Sequence, residues 1–411
     1  MANSITTETK TMLFHLVGHS LFSMPLELPE TIDWEAVISQ SHAQAVSTLA
    51  FEHYQELGLS EELTLKLKKY LKKCTVSNFN CFHGHKYLHE ILTKNGIPYC
   101  ILKGAASARY YPNPLLRAMG DVDFYVPPEY TAQARDIFSA EGFQFKNEDH
   151  RYHISIYKDA MRLEMHFAPI ALPQSEMASV FFEYWSDLLE GASLVQDVFS
   201  EYVLPSDFHH GFILLTHFQA HLISIGVGLR HVCDWAVFAN SFSNDEFVAL
   251  FEERLKRVGL WRLAQVLSLV AVRYLGMPHK PWMGEDYALA TALMEDIWRG
   301  GNFGVGEKSK SIEAMLIADS PTASIHKSRI VQAFRSLNIV VRSHWSAAKR
   351  CPLLYPVGWI YFSARFLVRV MTGRREGNLI KVYAQSGKRK KLYRRLRMYE
   401  AEKIEKLKME N

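Results

Sequence analysis

Asp121 and Asp123 stand two residues apart in the run Arg117-Ala-Met-Gly-Asp-Val-Asp-Phe-Tyr-Val126. Alternate side chains of a strand share a face, so both carboxylates point one way while Val122, Phe124 and Val126 point the other. Strands are depleted in Asp and adjacent like charges repel, so a fold that keeps this pair sets a cation, a basic side chain or open water against it. The chemistry on offer is ligation of a divalent cation. A second run, residues 162–167, alternates Leu163, Met165 and Phe167 with Arg162, Glu164 and His166. That puts Glu164 on a polar face, as a third carboxylate or as a partner of Arg162.

The elements that must hold these residues are short strands inside a mostly helical chain. Residues 8–95 carry helical periodicity, with Asp33 placed as an N-cap before Trp34-Glu35 and a long helix over 75–94 stopped by Asn95-Gly96. The pattern then changes to strands at 97–102, 121–126, 153–157 and 162–167, with brief helices at 105–111 and 130–140. Beyond Pro173 it is mainly helical again, at 208–225, 229–240, 245–258, 261–274 and 287–298, with a loop at Gly300-Gly301-Asn302. Residues 325–407 read as helical with a break at 351–356. The expected fold class is α+β: a small mixed-sheet core at 96–172, a helical N-terminal lobe at 1–95, a helical domain at 173–325 and a helical extension with a basic tail at 326–411.

At 411 residues, 48% hydrophobic and 22% charged, the chain has the make-up of a soluble globular protein of two or three domains, not of a disordered one. Its five scattered cysteines form no CxxC pair and read as buried thiols of a reducing cytoplasm. No secretory leader is evident, and the apolar stretch 357–371 is short for a bilayer and carries Arg365 and Arg369. A cytoplasmic protein without a transmembrane segment is expected. The aromatic-rich run 355–366 is expected in the core, which its helical spacing favours, or against a partner, and not as a base-stacking platform. The net charge of +4 is concentrated at 388–397, which hold seven Lys or Arg and no acid. This run is either a solvated helix end or an arm for RNA or another polyanion.

His209, His210, His217, His221 and His231 cluster in sequence, and His217 and His221 share a helix face at the spacing a zinc pair uses. Asp234, four residues past Arg230, is available as an ion-pair partner or as a third ligand. No HExxH pattern accompanies them, and the alternative is packing or substrate contact by neutral imidazoles.

Leu102-Lys103-Gly104, Tyr111-Pro112, Pro114, Arg117, Gly120-Asp121-Val122-Asp123, Val126 and Leu163-Glu164-Met165-His166 together carry a resemblance. Over residues 97–167 the chain resembles the DNA polymerase beta type nucleotidyltransferase superfamily, and as a whole it is similar to the bacterial nucleotidyltransferase family often labelled uncharacterised. The resemblance implies magnesium-dependent (or manganese-dependent) transfer of a nucleoside monophosphate from an NTP to an unidentified acceptor, with release of pyrophosphate. Asp121 and Asp123 would bind metal, and Glu164 would bind a second metal or deprotonate the acceptor. Gly104 would let phosphate approach the backbone beside free amides at a helix start, with Lys103 and Arg117 as cationic contacts. His166 would lie near the nucleotide, and His217, His221, Arg230 and Asp234 would recognise the acceptor or pack against the catalytic lobe. Members of the superfamily usually follow this glycine with Ser or Gly. Here Ala105 follows, with Ser107 as an imperfect substitute, which leaves open a nucleotide-binding or scaffold protein of reduced catalysis.

Overall fold

The computed structural model describes residues 6–146, 152–168, 177–197, 199–305, 351–371 and 379–398, with scattered positions between 306 and 350. Four helices lead to the sheet: α1 (Thr7–Phe22), α2 (Trp34–Ala43), α3 (Ser47–Ala50) and α4 (Glu61–Lys94). Asp33 caps α2, its Oδ1 accepting the Ala36 N–H at 2.9 Å. The expected helix at 75–94 is the second half of α4, a single helix of 34 residues capped by Ser60 and closed at Asn95.

Five strands, β1 (Cys100–Ile101), β2 (Val122–Tyr125), β3 (Gln144–Lys146), β4 (His153–Lys158) and β5 (Met161–His166), form one sheet in the order β1-β2-β5-β4-β3. Only the β2–β5 pair is parallel. Its register sets Asp123 against Glu164 and Tyr125 against His166, so all four share a face. The opposite face, with Val122, Phe124, Leu163 and Met165, packs on Phe82 and Leu88 of α4 and on Phe138 of α6 (Thr131–Ala140). Each such side chain contributes roughly 1.5–3 kcal/mol by leaving water.

The carboxylate face is not open, as the bare alternation suggested. Cys100, Leu102 and Tyr125 are apolar on that side and are covered by Trp185 of α7 (Met177–Ser186) and Ile213 of α8 (Asp207–Ile223). Asp123 is left 3% exposed. Between α7 and α8 runs an antiparallel hairpin, β6 (Ser193–Gln196) and β7 (Glu201–Leu204), in a stretch of the mainly helical half for which no element was expected. Tyr202 and Leu204 send their side chains into the sheet core.

Helices α9 (Leu229–Asn240), α10 (Asn244–Phe247), α11 (Glu253–Arg257), α12 (Trp261–Leu275) and α13 (Tyr287–Gly300) complete the second half, with a π-turn at Val248–Glu252 between α10 and α11. Leu13 and Val17 of α1 share one apolar cluster with Phe218, Trp235, Leu267 and Leu293, so helices from both flanks build a common core. The buried Trp235 indole donates to Ser268 Oγ at 2.8 Å, which satisfies its polar atom.

Farther along the described residues lie α14 (Tyr355–Met371) and α15 (Leu379–Arg395). The aromatic-rich run expected in the core is instead partly exposed at Ile360 and Tyr361, because α14 docks through Gly358 against Val341 and through Trp359, which donates to Asn338 at 2.9 Å. The basic run is not simply solvated. Arg389 and Lys390 are buried, while Lys388, Lys391, Arg394, Arg395 and Arg397 face solvent. Arg389 donates to the Leu222 carbonyl at 2.8 Å and to Glu313 at 3.2 Å, which fastens α15 to the last turn of α8. Most of the expected helical pattern at 326–350, and the acids beyond residue 398, lie outside the described residues. All five cysteines are free, with Cys81, Cys100 and Cys233 buried. Among the described residues no helix is long and apolar enough to cross a membrane.

Candidate functional site

A cavity of about 550 Å³ opens between the polar face of the sheet and the helices α8 and α9. Its sheet side carries Asp121, Asp123, Glu164, His166 and His153, and its helical side His217, His221, Arg230 and His231. The approach to Asp121 is pinned by Asn78 of α4, which donates to the Leu115 carbonyl at 2.6 Å and accepts the Met119 N–H at 2.9 Å. Nothing in the sequence around Asn78 announces that role.

Asp123 is saturated. Its Oδ2 lies 3.0 Å from the Lys103 ammonium, and its Oδ1 lies 3.0 Å from His166 Nε2. Burial alone would raise this carboxyl, but Lys103 and His166 outweigh it and hold the group well below the usual carboxylate range. Asp121 has no hydrogen bond or ion pair among the described residues, and the charge of Asp123, helped by burial, raises its pKa. Glu164 is pushed to about 7 by burial and by both aspartates. Three carboxylates whose charges oppose one another, two of them raised, suit a hard divalent cation. His153, Glu164 and His166 also bring one ligand atom each within 4.8 Å of one another, the kind of set that holds a transition metal.

Arg117, expected on phosphate, is engaged elsewhere. It is buried and forks onto Asp234, Nε to Oδ1 at 2.7 Å and Nη2 to Oδ2 at 2.8 Å, and Tyr111 donates to the same Oδ1 at 2.6 Å. Asp234 therefore pairs with Arg117 where a pair with Arg230 was expected, and no third ligand joins His217 and His221 at metal-binding spacing among the described residues.

Gly104, where a phosphate cradle was expected, lines the cavity and lies against an imidazole. Gly104 takes φ +69°, and a Cβ there would lie 2.6 Å from His85 Nε2. His85 gives its Nδ1–H to the Cys81 carbonyl at 2.6 Å and accepts the Ala105 N–H on Nε2 at 3.3 Å. The first amide of the short helix α5 (Ala105–Ala108) is thus occupied, and the glycine is required by backbone conformation and by an imidazole. Ser107 lies away from the cavity, its hydroxyl 3.5 Å from His210 Nε2.

On the helical side the Lys103 ammonium also lies 2.9 Å from His217 Nε2, and His221 Nε2 lies 3.0 Å from that same nitrogen. Burial, then the Lys103 charge, holds His217 well below its ordinary value, and His221 is lowered to about 3 for the same reasons. His209 is outside this group, 2.9 Å from Asp187. His231, the last of the clustered histidines, adds a second buried imidazole to this wall, and Phe303, which no motif singled out, packs its ring edge-on against His221 and His231. Phe303 sits at φ +52°, between Asn302, which touches Gly228, and Gly304, whose missing Cβ would meet the Ile225 carbonyl at 2.7 Å. A glycine-flanked aromatic was the one signal in the sequence for it.

No curated protein matches the chain. A family model does, over residues 30–276, and its description is "uncharacterised nucleotidyltransferase". Every residue of the cavity except Asn302 and Phe303 falls inside that match, which covers more than half of the chain, and the protein belongs to the uncharacterised nucleotidyltransferase family.

Proposed function

We propose that the protein transfers a nucleoside monophosphate from an NTP to an acceptor hydroxyl in the cavity of about 550 Å³, with magnesium or manganese as the cofactor. The observation that carries this reading is the register of the parallel β2–β5 pair, which sets Asp123 beside Glu164 with Asp121 at the strand's start, all facing one cavity. Asp121, Asp123 and Glu164 would hold the metal, which supplies charge compensation for the triphosphate when bound.

In the transfer, the acceptor oxygen forms a bond to the α-phosphorus while the bond from that phosphorus to the bridging oxygen breaks. Pyrophosphate leaves with the electron pair, and the acceptor proton passes to a carboxylate, the role assigned to Glu164. Lys103, 3.0 Å from Asp123 Oδ2, is placed to exchange that carboxylate for the phosphates, and Asp123 would be among the residues that hold the metal. His217, 2.9 Å from Lys103, keeps the ammonium at the cavity while it exchanges partners.

The engaged Ala105 N–H favours one alternative, a nucleotide-binding protein of reduced catalysis. Both readings are tested by pyrophosphate release from each NTP with a panel of hydroxyl acceptors, alongside calorimetry with a nonhydrolysable NTP and magnesium. Release by the intact protein that disappears in Asp123→Asn supports transfer. Binding without release supports the alternative, and equal release by both proteins sinks the proposed site.

A further inference from the structure

The cavity has two electrical poles. Asp121, Asp123 and Glu164 make one, partly offset by Lys103. Arg230 makes the other. Two guanidiniums, Arg117 and Arg230, share this side of the cavity with a single carboxylate, Asp234, and both oxygens of Asp234 are taken by Arg117. Arg230 donates from Nη1 to the Ala118 carbonyl at 3.2 Å, and its Nε is buried with no hydrogen-bond partner among the described residues. Burial, and then the charge of Arg117, lower its pKa, yet a guanidinium stays cationic at neutral pH. Arg230 is half-buried and feels the charges of Asp234 and Asp121 without a hydrogen bond to either, so a ligand oxyanion at its free donors is favoured.

The atoms around Arg230 repeat the pattern. Both ring nitrogens of His231, Nδ1 of His221 and Oδ1 of Asn302 are buried without hydrogen-bond partners among the described residues, and all three residues line the cavity. The start of α9 is not the receptor, because Gln44 already accepts its first amides: Leu229 N–H on Oε1 at 2.9 Å and Arg230 N–H on its carbonyl at 3.3 Å. The guanidinium lines the cavity, with its Cζ 5.6 Å from the centre of the Phe303 ring.

We infer that Arg230, with the imidazole of His231 beside it, forms an anion subsite that takes a phosphate-type oxyanion, on the helical side of the cavity that faces the carboxylates of the sheet. Its fork can give two parallel N–H bonds to two oxygens of one phosphate. The subsite rests on this geometry alone. Which anion it takes in turnover, a phosphate of the NTP or an anionic group on the acceptor, rests on the nucleotidyltransferase reading.

The test uses the full chain in EDTA with inorganic pyrophosphate and orthophosphate as probes, by calorimetry. Wild type binds pyrophosphate, and Arg230→Gln, folded by circular dichroism, binds it at least about tenfold more weakly, as the loss of a charge-assisted pair requires. A measurement on the unmutated protein covers the case in which the variant fails to fold: pyrophosphate protects Arg230 from phenylglyoxal, read by peptide mass spectrometry. No metal-free binding, equal binding by a folded Arg230→Gln protein, or no protection overturns the subsite. A second arm with magnesium and a nonhydrolysable NTP separates the sources. Weakened NTP binding in Arg230→Gln assigns the subsite to the nucleotide, and unchanged NTP binding with lost pyrophosphate binding assigns it to an anionic acceptor. Because Asp123→Asn removes the metal pole and not Arg230, metal-free pyrophosphate binding persists in that variant even if it releases pyrophosphate as wild type does.

Discussion

The Lys103 ammonium lies 3.0 Å from Asp123 Oδ2, so the carboxylate proposed to bind metal already holds a positive charge of the protein's own. Any external cation at Asp123 competes with Lys103 before it binds. Replacing Lys103 by Met removes the competitor and leaves a buried carboxylate supported by His166 alone. The expected outcome is tighter binding of Mn2+ on its own, about tenfold by titration, together with a stability loss of about 3 kcal/mol in metal-free urea unfolding. Added Mn2+ recovers part of that loss. Unchanged metal affinity would mean that Lys103 does not guard the carboxylate.

Arg117 and Asp234 act as a structural clamp between the segment leading to Asp121 and helix α9. Arg117→Met is expected to cost about 3–5 kcal/mol, because it strands a buried carboxylate. Arg117→Lys restores little of this, since an ammonium cannot fork onto two oxygens. The double variant Arg117→Met with Asp234→Leu is more stable than Arg117→Met alone. If Arg117→Met were as stable as wild type and lost only NTP affinity, Arg117 would be a phosphate contact after all.

Much of this site could be read from residue spacing, and the failures share a cause. The Asp121–Asp123 alternation and the Leu163–Met165 alternation are period-two signals, and the sheet realises both. Lys103 was named through the Leu102-Lys103-Gly104 resemblance as a phosphate contact, and its pairing with Asp123 was not foreseen. The partner of Arg117 was not, because Asp234 lies 117 residues away and only the packing of α9 brings it near. His85 was invisible because its contact with Gly104 depends on how α4 crosses the sheet. The hairpin β6–β7 was missed since four-residue strands with exposed Ser193, Leu194 and Gln196 give almost no alternation to detect. The basic run was read from charge alone, and charge does not reveal that one side of α15 faces inward at Arg389.

Gly104→Ala faces two penalties, a positive φ and the His85 ring. The expected loss is about 2–3 kcal/mol in denaturant unfolding. His85→Ala relieves the collision and not the backbone strain, so the double variant loses less than the sum of the two single ones. Strict additivity would show that His85 and Gly104 do not meet.

Acid should destabilise the fold through its buried imidazoles. Burial lowers His85 to about 4 and His210 and His221 to about 3, and His217 and His231 fall well below the ordinary value. Below an unfolded value of about 6.5 the unfolded chain binds protons that the folded one refuses, so stability falls as pH drops from 6.5 towards 4. Glu164, raised to about 7, and Asp121, also raised, work in the opposite sense by taking up protons in the folded state. Five groups against two leave a net loss of about 2–4 kcal/mol between pH 6.5 and 5.5, measured by urea unfolding. Stability that stays level or rises across this interval would contradict neutral imidazoles in the fold.

The last turn of α8 is held from far along the chain: Arg389 and the Tyr393 hydroxyl both reach the Leu222 carbonyl, one turn past His217 and next to His221. On the ribosome, a nascent chain that has emerged only through residue 300 carries every carboxylate of the cavity but lacks the fastening for its histidine wall. The histidine wall is fastened only once Arg389 and Tyr393 are available, so a chain truncated before residue 389 is expected to display the sheet without a finished pocket.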